Sequence, residues 1–159
     1  MCIRDRRFNI QGRSFIVDAA CAAGIASIDL GMSYLKNKST DFVFVGGLES
    51  NLGQGTYVLF SKVGALSEER CLPFDKRSRG LSQGEGAVIF GLQRYEDAVR
   101  MGNSILGVVR GVGASSDGKV ASLFQPDIGG QMLALKRAYA GVENLSLIHI
   151  SEPTRPLYI

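Results

Sequence analysis

The run Ile16-Val17-Asp18-Ala19-Ala20-Cys21-Ala22-Ala23-Gly24-Ile25-Ala26 constrains the fold more than any other part of the chain. In it apolar residues give way to a cysteine among small neighbours just where a helical pattern starts. Phe15 to Val17 are aromatic and β-branched, the composition of a buried strand. From Ala22 to Leu35 apolar residues recur at Ile25, Ile28, Leu30, Met32 and Leu35 with helical spacing. Cys21 is therefore expected at a strand-to-helix junction. Unpaired backbone N–H groups and the positive end of the helix dipole favour a thiolate there. The small residues Ala19, Ala20, Ala22, Ala23 and Gly24 leave room for a bulky acyl group. The same residues also fit a blander reading, in which Cys21 is a small hydrophobe filling a core.

Beyond this helix a polar turn, Asn37 to Asp41, leads into Phe42-Val43-Phe44-Val45-Gly46-Gly47, an apolar run of strand length expected to be buried on both faces. Strand, helix and strand in succession predict a right-handed βαβ unit, hence a parallel or mixed sheet between helices. Residues 48–85 read as a long surface excursion with a short amphipathic piece near Thr56 to Lys62. Ala87 to Leu92 returns as a strand, Tyr95 to Met101 as a short helix, Ile105 to Val112 as a second long strand, and Gln131 to Tyr139 as a last helix. Nothing marks an internal domain boundary.

The two ends are expected to be foreign to the domain. Met1 to Arg6 can be written ATG TGT ATA AGA GAC AGn, whose reverse complement translates as Leu-Ser-Leu-Ile-His-Ile, the residues at Leu145 to Ile150. Unrelated protein ends should not encode each other on opposite strands. With Ser151-Glu152-Pro153-Thr154-Arg155, the pair resembles the inverted repeat of a transposon-based sequencing adapter read through as protein. Residues 1–6 and 145–159 are set aside accordingly, leaving 7–144 as the domain. His149, the single histidine, lies in the excluded tail and is not recruited as a base.

Lys+Arg number 18 against Asp+Glu 15, and the cations are scattered without interleaved aromatics. No nucleic-acid interface follows. No apolar run reaches the length of a bilayer span and no secretory segment precedes the first strand, so a soluble, cytoplasmic protein without membrane contact is expected. Cys21 and Cys71 show no metal-ligand spacing, so no metal site is expected.

Several motifs then occur in a fixed order. Val17-Asp18-Ala19-Ala20-Cys21-Ala22-Ala23-Gly24 resembles the active-site cysteine motif of the β-ketoacyl synthases. Phe42 to Gly47 is similar to that family's strand ending in a glycine pair, and Phe60 to Ser67 to the segment leading to its next loop. Arg70-Cys71-Leu72-Pro73-Phe74-Asp75 followed by Gly84-Glu85-Gly86-Ala87 resembles its proline/phenylalanine/aspartate loop and Gly-Glu-Gly-Ala turn. Val109 to Gly113 and Ser116-Asp117-Gly118 extend the likeness, which covers residues 12–142. Two departures stand out. Arg79-Gly80-Leu81 replaces an acidic residue, glycine and an aromatic, and Cys21 is followed by Ala22-Ala23-Gly24 in place of serines.

The resemblance implies an α/β, thiolase-like fold with α-β-α-β-α layers and mixed sheets. This chain would hold the end of the N-terminal half and the start of the C-terminal half. It implies that Cys21 is the catalytic nucleophile of a decarboxylative Claisen condensation in polyketide or fatty-acid synthesis, within a type I polyketide or polyunsaturated-fatty-acid synthase. It implies no bound cofactor, substrates carried on the phosphopantetheine of an acyl carrier protein or on coenzyme A, and a homodimeric intact enzyme. The family's two catalytic histidines would lie outside this chain, leaving it inactive alone. Gly46, Gly47, Gly84 and Gly86 are expected where backbones approach closely or take positive φ, and Cys71 is expected to be structural. The rival readings are a non-catalytic chain-length factor, which typically lacks the cysteine, a stand-alone type II fatty-acid enzyme, and a thiolase proper, which fits the Pro73-Phe74-Asp75 and Gly84-Glu85-Gly86 pairing poorly.

Overall fold

A computed structural model describes residues 3–119 and 125–141. The chain divides into two units, residues 1–101 and 102–159. In the first, helix α1 (Ile3–Phe8) precedes an extended stretch, and helix α2 (Ala23–Lys36) follows the cysteine. Strand β1 (Phe42–Glu49), helix α3 (Gln54–Lys62), strand β2 (Gly86–Gln93) and helix α4 (Tyr95–Met101) complete it. The elements read from apolar periodicity from α2 to α4 are all present, within a residue or two at their ends.

β1 and β2 pair antiparallel, Phe42 opposite Gln93 through Glu49 opposite Gly86. An antiparallel pair fits the mixed sheet that was expected, but the βαβ unit from Phe15 to Gly47 is not formed among the described residues. The strand expected at Phe15 to Val17 is extended chain outside any ladder, so the helix α2 connects no strand pair. Phe15 instead rests beside Tyr34 of α2, ring centroids 6.2 Å apart. An apolar β-branched run specifies extended backbone, but a strand also needs a neighbour to complete its hydrogen bonds.

α2 lies on one face of the β1–β2 ribbon. A side chain at Gly31 would begin 2.6 Å from Val45 Cγ1 and 3.3 Å from Val43 Cγ1, so the helix touches the sheet at backbone distance. Leu35 and Val45 are buried by this contact. Alternation along the strands sends Phe42, Phe44, Leu48 and Ile89 to the opposite face, where they are exposed, Leu48 by 74% and Ile89 by 72%. Within this chain β1 is covered on one face.

The glycine expectations divide. At Gly46 an added Cβ would lie 2.0 Å from the Val88 carbonyl oxygen across the ribbon, a clash with backbone that no rotamer relieves. Gly84 and Gly86 meet nothing within 4 Å and keep negative φ, so neither close approach nor backbone strain requires them.

The join between α2, β1 and α4 is held by Arg94. Its guanidinium donates to the Leu35 carbonyl at 3.1 Å and the Thr40 carbonyl at 2.9 Å, pairs with Asp41, and pairs with Asp97 at 2.6 Å. The hydrogen bond from Arg94 holds the Asp97 carboxyl below its usual range, and the hydrogen bonds Arg94 donates to Asp41 and Asp97 raise its own pKa. Arg100 adds a second ion pair to Asp97 at 2.5 Å.

In the second unit, helix α5 (Ile128–Tyr139) starts three residues earlier than its periodicity suggests, because Asp127 caps it by accepting from the Gly130 N–H at 2.7 Å. The strand expected at Ile105 to Val112 is extended without a ladder. Its continuation lies against α5, Gly113 meeting the Ala134 carbonyl and Arg137 donating to the Ala114 carbonyl at 2.6 Å.

Two measurements check these contacts. Gly46→Ala should cost about 3 kcal/mol in chemical denaturation, since overpacking against backbone cannot relax. Gly86→Ala, in open space, should be neutral or stabilising by up to about 1 kcal/mol. Because the folded-state Asp97 carboxyl is lowered, its contribution is complete above the ordinary carboxylate range and fades as pH falls through the lowered value. Asp97→Asn should therefore reduce stability at neutral pH and narrow its gap to the parent below about pH 4, in urea midpoints taken across the acid range.

Candidate active site

Between the extended segment and α2 the backbone makes one tight turn. Asp18 Oδ1 accepts from the Ala20 N–H at 2.9 Å, and Ala20 takes φ +46°, a left-handed conformation unusual for a residue with a Cβ. The chain then closes a single 3₁₀ turn over Ala20–Ala22, with Ala22 N–H donating to the Ala19 carbonyl at 3.0 Å and Ala23 N–H to the Ala20 carbonyl. This turn feeds directly into α2 with no side-chain cap. Cys21 sits in its middle, exposed.

Three features of this arrangement bear on chemistry. The thiol stands at the entry of a fourteen-residue helix, at the positive end of its dipole. Among the described residues the Cys21 N–H has no acceptor, so it is free to donate. The small residues expected to make room for an acyl group are open, with Ala19, Ala20 and Ala22 exposed and Ala23 and Gly24 half-buried. Cys21 lies outside the buried residues of this chain.

The helix behind the cysteine is seated by small residues. Gly24 lies opposite Gly47, 3.6 Å from where its Cβ would be, and Ser27 Oγ is 2.7 Å from the Gly24 carbonyl oxygen and 3.1 Å from that of Gly46. Sequence reasoning passed over Ser27. The signal was the spacing Gly24, Ser27, Gly31, which puts three small residues on one helix face.

The other motif residues lie in the loop between α3 and β2. Leu81 N–H donates to the Ala65 carbonyl and Ser67 N–H to that of Leu81, each at 2.9 Å. Gly80, at φ +108°, has the Ala65 carbonyl 2.7 Å from its missing Cβ. The Cys71 thiol points to the Gly80 carbonyl at 3.6 Å, inside the loop. Asp75 is held below the usual carboxylate range by the Arg77 guanidinium and also accepts from the Arg77 N–H. Glu85 of the Gly-Glu-Gly turn accepts from the Leu52 N–H at 3.3 Å, tying that turn to the segment leaving β1.

Among the described residues no three His, Cys, Asp or Glu side chains converge on a metal position. No helix among them is long and apolar enough to cross a membrane. The tail containing His149, residues 145–159, lies outside the described residues.

The helices and strands described here make an α/β arrangement with a cysteine exposed at a helix entry, and comparison with known proteins gives its class and family. Residues 5–98 match the family model of the β-ketoacyl synthase N-terminal domain. The chain belongs to the β-ketoacyl synthase family. It is 38% identical over 133 residues, 83% of its length, to a component of the polyunsaturated fatty acid synthase of Thraustochytrium. It is 36% identical over 129 residues, 80% of its length, to a component of the phenolphthiocerol/phthiocerol polyketide synthase of Mycobacterium tuberculosis. Among solved structures, the ketosynthase from module 6 of the bacillaene synthase of Bacillus subtilis superposes with a TM-score of 0.80 over 86% of this chain at 30% identity. The ishigamide ketosynthase/chain length factor does so at 0.78. The chain spans 5% and 6% of the two curated relatives and 24% of the bacillaene ketosynthase. The thiolase-like fold expected from the motifs is thus the fold of this chain.

If Asp18 holds the turn under the thiol, Asp18→Ala should leave the left-handed Ala20 unsupported. Loss of a local cap of this kind costs about 1 kcal/mol, read as a lower denaturation midpoint, with Asp18→Asn keeping most of it.

Proposed function

We propose that this chain is a segment of a β-ketoacyl synthase that builds carbon chains by decarboxylative Claisen condensation, with Cys21 as its nucleophile. The observation that carries the reading is the exposed Cys21 thiol at the entry of α2, beside a backbone N–H that has no acceptor among the described residues.

The Cys21 thiolate attacks the carbonyl carbon of an acyl thioester carried by an acyl carrier protein or coenzyme A. The carrier's thiol leaves, and an acyl-cysteine remains. Charge that develops on the thioester oxygen is met by the Cys21 N–H, one of the donors an oxyanion requires. A malonyl-type thioester loses carbon dioxide to give an enolate, which attacks the acyl-cysteine carbonyl. The new carbon–carbon bond forms as the carbon–sulfur bond breaks, which returns the Cys21 thiolate. The second oxyanion donor and the histidines that assist decarboxylation belong to residues outside this chain, so the segment does not turn over alone.

The relatives favour a type I polyketide or polyunsaturated-fatty-acid synthase as the parent, with an acyl carrier protein as partner, a homodimeric enzyme and no cofactor bound directly. Domain limits of 7–144, with 1–6 and 145–159 as translated adapter sequence, belong to the same reading. Cys71, turned into its own loop, is structural. A chain-length factor is disfavoured by the presence of Cys21 in the motif.

In the full-length synthase carrying this segment, Cys21→Ala should abolish condensation, a loss of at least about a thousandfold in kcat. Incubation of the parent with an acyl thioester should put one acyl mass on the peptide containing Cys21. An adduct on another residue, with Cys21 unmodified, would overturn the assignment.

A further inference from the structure

We infer that Ser27 is the positioning residue that fixes Cys21 in reach of its substrate. The inference deepens the reading of Cys21 as the nucleophile and rests on it.

The contacts between α2 and β1 differ in kind. Gly24 against Gly47, and Gly31 against Val43 and Val45, are contacts of bare backbone and methyl groups. They let the helix come close, but van der Waals contact has no preferred direction and resists sliding or rolling only weakly. The Ser27 hydroxyl lies between these two contacts and faces two carbonyl oxygens, Gly24 in the first turn of its own helix at 2.7 Å and Gly46 in the strand at 3.1 Å. Its single proton is shared between them. A hydrogen bond weakens steeply away from its preferred angle, so this is a directional tie between the start of α2 and the sheet, in a half-buried position, at the end of the helix opposite the one Arg94 holds.

The lever arm is short and its effect is large. Ser27 lies six residues beyond Cys21, about 9 Å along the axis at the helical rise. A tilt of about 10° about this point moves the thiol by roughly 1.5 Å over that length. Misplacement of about 1 Å in a covalent attack costs on the order of a hundredfold in rate. Ser27 does not touch the reacting atoms. It acts through the helix.

The test uses the full-length synthase with Ser27→Ala and Ser27→Thr, an acyl-coenzyme A as donor, and quenched mass spectrometry of the Cys21 and Cys71 peptides. Threonine is the conservative partner because its hydroxyl can also reach a carbonyl one turn back in a helix. Ser27→Ala should slow acyl transfer to Cys21 by about 10- to 100-fold with KM for the thioester unchanged. Ser27→Thr should restore the rate to within about threefold of the parent. Iodoacetamide labelling of Cys71 should be the same in all three proteins. Parental acylation in Ser27→Ala overturns the inference, as does a Thr variant no faster than Ala, or a parallel change at Cys71 that marks general loosening. A parent that takes no acyl group on Cys21 fails at the earlier step and removes the nucleophile reading itself, with the inference that rests on it.

Discussion

The approach of α2 to β1 at backbone distance is the constraint on which the rest of the unit depends. Gly24, Ser27 and Gly31 form the helix's inner face, and Gly46 and Gly47 answer them on the strand. A side chain at Gly31 would meet Val45 Cγ1 at 2.6 Å, so a larger residue there would push the helix off the sheet and move its first turn with it. Among the described residues of this unit the buried apolar side chains are Leu35, Val45 and Ala98. Polar ties fix both ends of α2, Arg94 at the far end and Ser27 near its start.

This seating explains how a flexible thiol acquires a defined place. One end of α2 is pinned through Arg94, which gathers the Leu35 and Thr40 carbonyls, Asp41 and Asp97. At the other end the chain arrives extended, is turned by the Asp18 carboxylate, passes through the left-handed Ala20 and presents Cys21 before the helix begins. A residue with a Cβ held at positive φ costs on the order of 1 kcal/mol. That cost sits one residue from the thiol, where a sharp reversal exposes the side chain and leaves its own N–H without an acceptor among the described residues. The strain, the free donor and the helix dipole all meet at one position.

Much of this was legible in the residues. Helical spacing from Ile25 to Leu35 gave α2, the charged stretch Tyr95 to Met101 gave α4, and the runs from Phe42 and Ala87 gave the two strands. These signals are local, since each depends on which side chains lie one turn or two residues apart. Apart from the start of α5, which the Asp127 cap sets locally, what the residues did not show is non-local. Phe15 to Val17 and Ile105 to Val112 have strand composition but lie outside any ladder, because pairing depends on a neighbour that the run itself cannot specify. Nothing within either run fixes the direction of the β1–β2 pair, which the expected mixed sheet leaves open. Gly84 and Gly86 were assigned close contacts that the structure gives to Gly46 and not to them. The spacing Gly24, Ser27, Gly31 marks a close-packed helix face, but only the structure shows the strand carbonyl that the Ser27 hydroxyl faces.

The central claim is that the sulfur of Cys21, set by α2 on its glycine-bearing strand, is the atom that receives the acyl group. A crystal structure of the full-length synthase reacted with an acyl thioester tests it most directly. The account predicts electron density continuous from Cys21 Sγ to the acyl carbon, with the acyl oxygen within hydrogen-bond reach of the Cys21 N–H, about 3 Å. Density for the acyl group on any other residue, or a Cys21 thiol displaced from the start of α2, would contradict it.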